Sequence, residues 1–323
     1  MGLRFETLRL TRGANEQWWR YGASGLAAWS YLWGSSAVSE ETLRIVEQVR
    51  TRGVAVSHVD RLFPTRDAFS ELRSHVGSLT DRSGHQIDRA RERRGEILQV
   101  SLTGEHPTLE LTDPVVRFLM TPELTAVAGH FYRMAPRLLE CKVWQTIAAD
   151  STPVRTQRWH RDRPGDRHVL KCFVYLNDVT DGSGPFCFAP GTHLGGDVEP
   201  SQAAVLEGKV ERFDDANVDD QLEVMRCTGP VGTVVFADTT GLHMGGRSVF
   251  GERLMITAQY ASAAAWQRPY FDVTEPSAAE STVASAAATG SADRNTRYAL
   301  GLDPPPRARH LRRNRRVGHD ALT

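Results

Sequence analysis

Val231-Gly-Thr-Val-Val-Phe-Ala-Asp238-Thr-Thr-Gly-Leu-His243-Met-Gly-Gly-Arg247-Ser-Val-Phe-Gly-Glu-Arg253-Leu-Met-Ile-Thr-Ala-Gln-Tyr260 is the stretch that decides the fold. It holds two apolar runs of strand length, Val231 to Ala237 and Leu254 to Tyr260, joined by glycine-rich turn residues with no helix between them. Working outward, Leu138 to Ile147, His168 to Leu176 and Phe186 to Ala189 have the same texture and are bounded by Gly, Pro and Asp. Short strands with turn signals and no intervening helices predict a β-barrel or sandwich.

The preceding residues read mainly as helices. Ser39 caps a helix whose apolar side is Leu43, Val46 and Val49 and which Gly53 ends. Val54 to Val59 is a short strand, and a helix carrying Phe69 and Leu72 starts near Thr65. Asp81 to Arg94 is dense in charge and reads as an exposed loop. Asp113 to Tyr132 reads as helix, with Pro114 in its first turn. These readings give one domain over residues 1–273, with a helical part at 1–135 and a barrel core at 136–262. Residues 274–323 are an Ala/Ser-rich segment followed by an Arg-rich tail, read as a solvated terminus without a motif.

Apolar residues make up 40% and charged residues 24% of the 323 residues, which describes an ordinary globular chain. The formal net charge is zero, so the overall balance gives no reason to expect a nucleic-acid or membrane partner. Of 39 basic residues only Lys142, Lys171 and Lys209 are lysine; codon bias in a GC-rich genome accounts for this without invoking anion binding. No window reaches membrane-spanning length, and the N-terminus lacks the apolar stretch of a signal peptide. Cys141, Cys172, Cys187 and Cys227 show no metal-pair spacing; the first three lie in apolar strand-like runs and read as core thiols, and a reducing cytoplasm is the simplest compartment.

His160 and Asp162 are two residues apart, so on a strand both project to one face while Trp159 and Arg161 face away. A third ligand must come from another strand, and His243, in its glycine-rich strand end, is the candidate. Two imidazoles and one carboxylate leave coordination positions open on a divalent metal, the donor set of ferrous oxygenases rather than of structural zinc. Arg253 opens the next strand and can clamp the distal carboxylate of an anionic cosubstrate bidentately. Arg247 is the fallback clamp or a substrate contact. Strand parity puts Lys171 and Tyr175 on one face of His168 to Leu176, where they can help hold the cosubstrate. Gln145 and Gln157, as hydrogen-bonding groups, and Trp159, at the entrance, complete the pocket candidates. His193 reads as a turn-stabilising residue.

Gln157-Arg-Trp-His160-Arg-Asp162, Tyr175-Leu-Asn-Asp178-Val, Gly182-Ser-Gly184-Pro185-Phe, Pro190-Gly-Thr-His193 and His243 with Arg253 occur in that order. Together they resemble the phytanoyl-CoA dioxygenase family of Fe(II)/2-oxoglutarate oxygenases. The resemblance runs from about Leu138 to Tyr260. It implies a mainly β fold with flanking helices: a double-stranded β-helix, the cupin-like jelly-roll barrel. It implies Fe(II) held by His160, Asp162 and His243, with 2-oxoglutarate and O2 as cosubstrates and Arg253 binding the 2-oxoglutarate tail. The implied reaction couples decarboxylation of 2-oxoglutarate to succinate with hydroxylation, or a related C–H oxidation, of a small molecule of specialised metabolism. Related halogenases carry a small residue where this chain has Asp162, so the halogenase variant is not expected. The competing readings are a cupin-like metal-binding protein and an oxygen-independent metal-dependent isomerase or hydrolase. Neither the primary substrate nor the oligomeric state is legible.

Overall fold

The computed structural model describes residues 15–34, 38–93, 99–149, 155–162, 165–198, 218, 222–274 and 292–305. Its strands are β1 (Val54–His58), β2 (Gln99–Ser101), β3 (Thr108–Glu110), β4 (Arg137–Thr146), β5 (Leu170–Tyr175), β6 (Phe186–Phe188), β7 (Met225–Cys227), β8 (Thr233–Asp238), β9 (His243–Gly245), β10 (Arg253–Ala261) and β11 (Asp272–Thr274). Six of them form the major sheet in the order β1-β8-β5-β10-β4-β2, and three form the minor sheet in the order β7-β6-β9. Every pairing in both sheets is antiparallel. The two sheets stack as the jelly roll of a double-stranded β-helix, with helices against one side.

Side-chain alternation explains the layering. On the inner face of the major sheet, Phe173, Tyr175, Val235, Ala237 and Met255 meet Phe186, Phe188 and Cys227 of the minor sheet. Their sheet neighbours Cys172, Val174, Val234, Phe236, Ile256 and Ala258 point the other way, into the larger core shared with the helices. Both faces of the central strands are therefore apolar. At roughly 1.5–3 kcal/mol per buried large aliphatic or aromatic side chain, this double burial outweighs any single polar contact.

The N-terminal helices build that second core. Ser39 caps the helix Glu40–Arg52 by accepting from Thr42 N at 3.1 Å, and Gly53 ends it with φ +82°. No side chain fits at Gly53, because a Cβ there would lie 2.7 Å from the Phe188 ring. The segment Asp81 to Arg94, expected as a loop, is mostly helix: Asp67–Arg82 is followed directly by Gly84–Glu92, which buries Ile87 and Ala90. The span Asp113 to Tyr132 is two helices, Pro114–Leu119 and Pro122–Tyr132, because the second proline cannot continue the first helix. Beyond the barrel, Ala292–Ala299 is helical, and Tyr298 and Leu300 join the larger core. The arginine-rich run after Pro306 lies outside the described residues.

Candidate active site

The minor sheet and the segment after the 3-10 turn Arg155–Gln157 carry the ligand set. His160 and His243 are cross-strand neighbours: His160 N donates to His243 O at 3.0 Å and His243 N donates to His160 O at 2.9 Å. Asp162 N donates to Thr239 O at 3.0 Å, which keeps the segment extended. The spacing of two therefore does what parity requires, and one ligand atom from each of His160, Asp162 and His243 lies within 4.8 Å of the others. His160 Nε2 is 3.9 Å from Asp162 Oδ1, and His243 Nε2 is 3.7 Å from Asp162 Oδ2.

The imidazole tautomers follow from the backbone. His160 Nδ1 is 2.8 Å from Arg158 O, and His243 Nδ1 is 3.0 Å from Gly241 O. A carbonyl only accepts, so each Nδ1 carries the hydrogen and each ring turns its Nε2 toward Asp162. Burial, aided by the charges of His160 and Lys171, lowers the His243 pKa to about 3 despite the opposing Asp162 carboxylate. His243 is thus neutral at pH 7, as a metal ligand must be.

Lys171 lies on the inner face, with Nζ 2.8 Å from Asp162 Oδ2. Burial opposes both charges, but each group outweighs it for the other. Asp162 is held well below the usual carboxylate range by Lys171 and His243, and Lys171 is raised by Asp162 and Glu140. Glu140 and Thr239 escaped the sequence reading. Glu140 shares a row with Gln259 and Lys171 across β4, β10 and β5, and Thr239 hydrogen-bonds Asp162 through its side chain.

At the other end of β10, Arg253 is only 2% exposed. Its Nη1 donates to Gly184 O, and its side chain lies against Gly245, next to the His243 strand. No carboxylate pairs with it among the described residues, and burial lowers its pKa. Gly184 is needed for this approach: its φ is +70°, and a Cβ there would meet Gly246 O at 2.3 Å. Tyr175 stands beside Arg253, but its hydroxyl donates to Cys227 O at 2.8 Å and accepts from Phe186 N at 3.1 Å. It ties the two sheets together and forms the floor under Arg253.

The remaining candidates separate. Gln145 is on the outer face of β4, opposite Leu254, and donates to Glu252 Oε2 at 2.8 Å, so the register takes it out of the pocket. Trp159 also points away: it is fully buried with Cys187, Ala189, Leu242 and Met244 behind the minor sheet. Gln157 is buried in the 3-10 turn that packs on β9. Arg247 lies in the connection between β9 and β10, and Arg253 opens β10. His193 Nε2 donates to Arg50 O at 3.0 Å, which ties its turn to the end of the helix Glu40–Arg52. Arg161, facing away from the ligands, donates to Thr192 O at 2.5 Å and Thr240 O at 2.7 Å, locking that turn to the strand end.

No curated protein matches the chain. Among solved structures it is similar to EctD from S. alaskensis with bound Fe, at 17% identity and a TM-score of 0.49, covering 75% of this chain and 91% of that one. It is similar to the epimerase SnoN in complex with Fe3+, alpha ketoglutarate and nogalamycin RO, at 17% identity and a TM-score of 0.47, covering 71% and 87% respectively. It is also similar to HygX from Streptomyces hygroscopicus with nickel and 2-oxoglutarate bound, at 19% identity and a TM-score of 0.46, covering 73% and 97%. Residues 49–249 match the family model of phytanoyl-CoA dioxygenase (PhyH), a span that contains His160, Asp162 and His243, and the chain belongs to that family.

Proposed function

We propose that this protein is an Fe(II)/2-oxoglutarate-dependent oxygenase acting on a small molecule, with hydroxylation or a related C–H oxidation as the outcome. The observation that carries the reading is the shared inner face: two imidazoles and a carboxylate converge at one end, and a buried arginine without a carboxylate partner among the described residues stands at the other. The donor set fits a divalent iron because the two Nε2 lone pairs and one anionic oxygen occupy one side and leave the rest open. When bound, iron with 2-oxoglutarate and O2 would supply the oxidising chemistry.

The residues of the chain do the rest. His160, Asp162 and His243 hold the metal, with both rings fixed by backbone carbonyls. Lys171 orients the Asp162 carboxylate. Arg253 takes the distal carboxylate of 2-oxoglutarate bidentately, which satisfies its buried guanidinium. Phe173, Val235, Met255, Phe186 and Phe188 make the chamber apolar and exclude water. The row Glu140–Gln259–Lys171 lies at the end of β10 away from Arg253 and offers hydrogen bonds to a polar substrate.

We assign the catalytic unit to residues 1–273, with the helix Ala292–Ala299 docked on its core. The four buried free cysteines support a cytoplasmic site of action, and no helix among the described residues is long and apolar enough to cross a membrane. The test is anaerobic titration of the protein with ferrous iron and 2-oxoglutarate. A visible charge-transfer band, followed by succinate release on admitting oxygen, is expected. A folded protein with no band and no succinate overturns the reading, and His160→Ala is the matched control that should bind no iron.

A further inference from the structure

A charged cavity lies between the N-terminal helices and the Asp238 end of β8. It has a volume of about 290 Å³ and is lined by Arg20, Arg50, Arg133, His168 and His193 around Phe131. Two carboxylates reach it, and each already has a partner. Glu16 pairs with Arg20 at 2.7 Å and Asp238 pairs with His168 at 2.7 Å. Arg50 and Arg133 are left without a carboxylate at bonding distance among the described residues.

The arginines are gathered at a cost. Arg50 is half-buried, and burial, then the charges of Arg133 and Arg20, lower its pKa. One Arg50 nitrogen donates to His130 O at 2.7 Å and Phe131 O at 3.3 Å, which leaves other guanidinium hydrogens for a ligand. Arg20 Nε is buried with no partner among the described residues. Arg133 ends the helix Pro122–Tyr132 with φ +55°, in a left-handed conformation that glycine or asparagine adopts more readily. It is the sole non-glycine residue with positive φ among those described. Local strain that places one more cation in a crowd of cations points to a missing counter-charge.

We propose that this cavity binds a tetrahedral oxyanion: free phosphate or sulfate, or the phosphoryl group of a larger molecule. Two or three converging guanidinium groups match such an anion, and the volume suits one small anionic group rather than a whole drug-sized ligand. The proposal does not depend on the iron centre.

The test is calorimetric titration of the full chain with inorganic phosphate at constant ionic strength. Saturable binding to one site is expected, weakened at least tenfold in Arg133→Asn, which suits the left-handed backbone, and in Arg50→Gln. Arg253→Met should retain the binding. No saturable binding overturns the proposal. So does binding that survives Arg133→Asn and Arg50→Gln but disappears in Arg253→Met, since the anion would then be in the barrel. Phenyl phosphate separates the sources: tighter binding than inorganic phosphate assigns the phosphoryl head of a larger ligand, and equal binding assigns the free anion.

Discussion

Lys171, partly buried, and Arg253, fully buried, are both cations on the inner face of the major sheet, and their surroundings are opposite. Lys171 touches the Asp162 carboxylate at 2.8 Å and shares a row with Glu140. Arg253 meets a backbone carbonyl and no carboxylate among the described residues. The matched cation holds Asp162, and on the proposed function the unmatched one takes the anionic end of 2-oxoglutarate. On that reading one charge belongs to the fold and the other to the ligand: leaving a guanidinium buried and uncompensated costs free energy that a bound carboxylate would return.

The comparison breaks most sharply at Arg253. Arg253→Met is expected to weaken 2-oxoglutarate by about 2–5 kcal/mol, the cost of truncating one partner of a buried charged contact. The KM for 2-oxoglutarate should rise correspondingly while iron binding is kept. The same variant should leave the melting temperature of the ligand-free protein unchanged or raised. A lowered melting temperature would mean that Arg253 is structural. Lys171→Met should do the reverse, destabilising the ligand-free fold by about 1–3 kcal/mol, a buried-pair cost discounted for partial exposure. Denaturant unfolding measures it, and iron affinity should fall as Asp162 loses its orientation.

A smaller effect is expected at the other matched pair. Asp238 is fully buried, and its pKa is lowered: burial opposes the charge, but His168 and Thr240 prevail. Asp238→Asn should cost about 1–3 kcal/mol at pH 7. A lowered carboxyl contributes stability that is complete above its unfolded pKa and is lost as pH falls through the folded one. The deficit of the variant should therefore shrink in acid. A gap that stays constant from pH 7 down to the unfolding limit would contradict the pairing. Smallest of all is Gln145→Ala: it should leave the kinetics for 2-oxoglutarate and substrate unchanged, because the side chain is on the far face of β4. A change in KM would reverse the face assignment.

The period of two made the ligand set readable. His160 and Asp162 needed only strand parity, and His243 and Arg253 needed a glycine-rich strand end and the strand after it. Parity failed where both faces of a strand are buried. In β4, Val143 and Gln145 alternate with Lys142 and Trp144, so apolar residues stand on both faces and the pattern does not say which one is inside. The side chain of Trp159 followed the parity of its segment rather than its promise as a pocket aromatic. The helix Gly84–Glu92 was hidden because only Ile87 and Ala90 mark its buried side among charges. Lys171 could be placed on a face from sequence, but its partner is set by tertiary approach, which no local spacing encodes.

The reciprocal backbone bonds between His160 and His243 have a consequence for how such a protein can change over generations. Because the two rings are fastened to each other by main chain, the chain connecting them is released from the task of holding the metal geometry. Doubling the length of a flexible connection costs only about 0.6 kcal/mol in closure entropy. The intervening segments can therefore lengthen, shorten and diversify toward new substrates while the ligand pair stays in register, making this barrel a durable chassis for new chemistry.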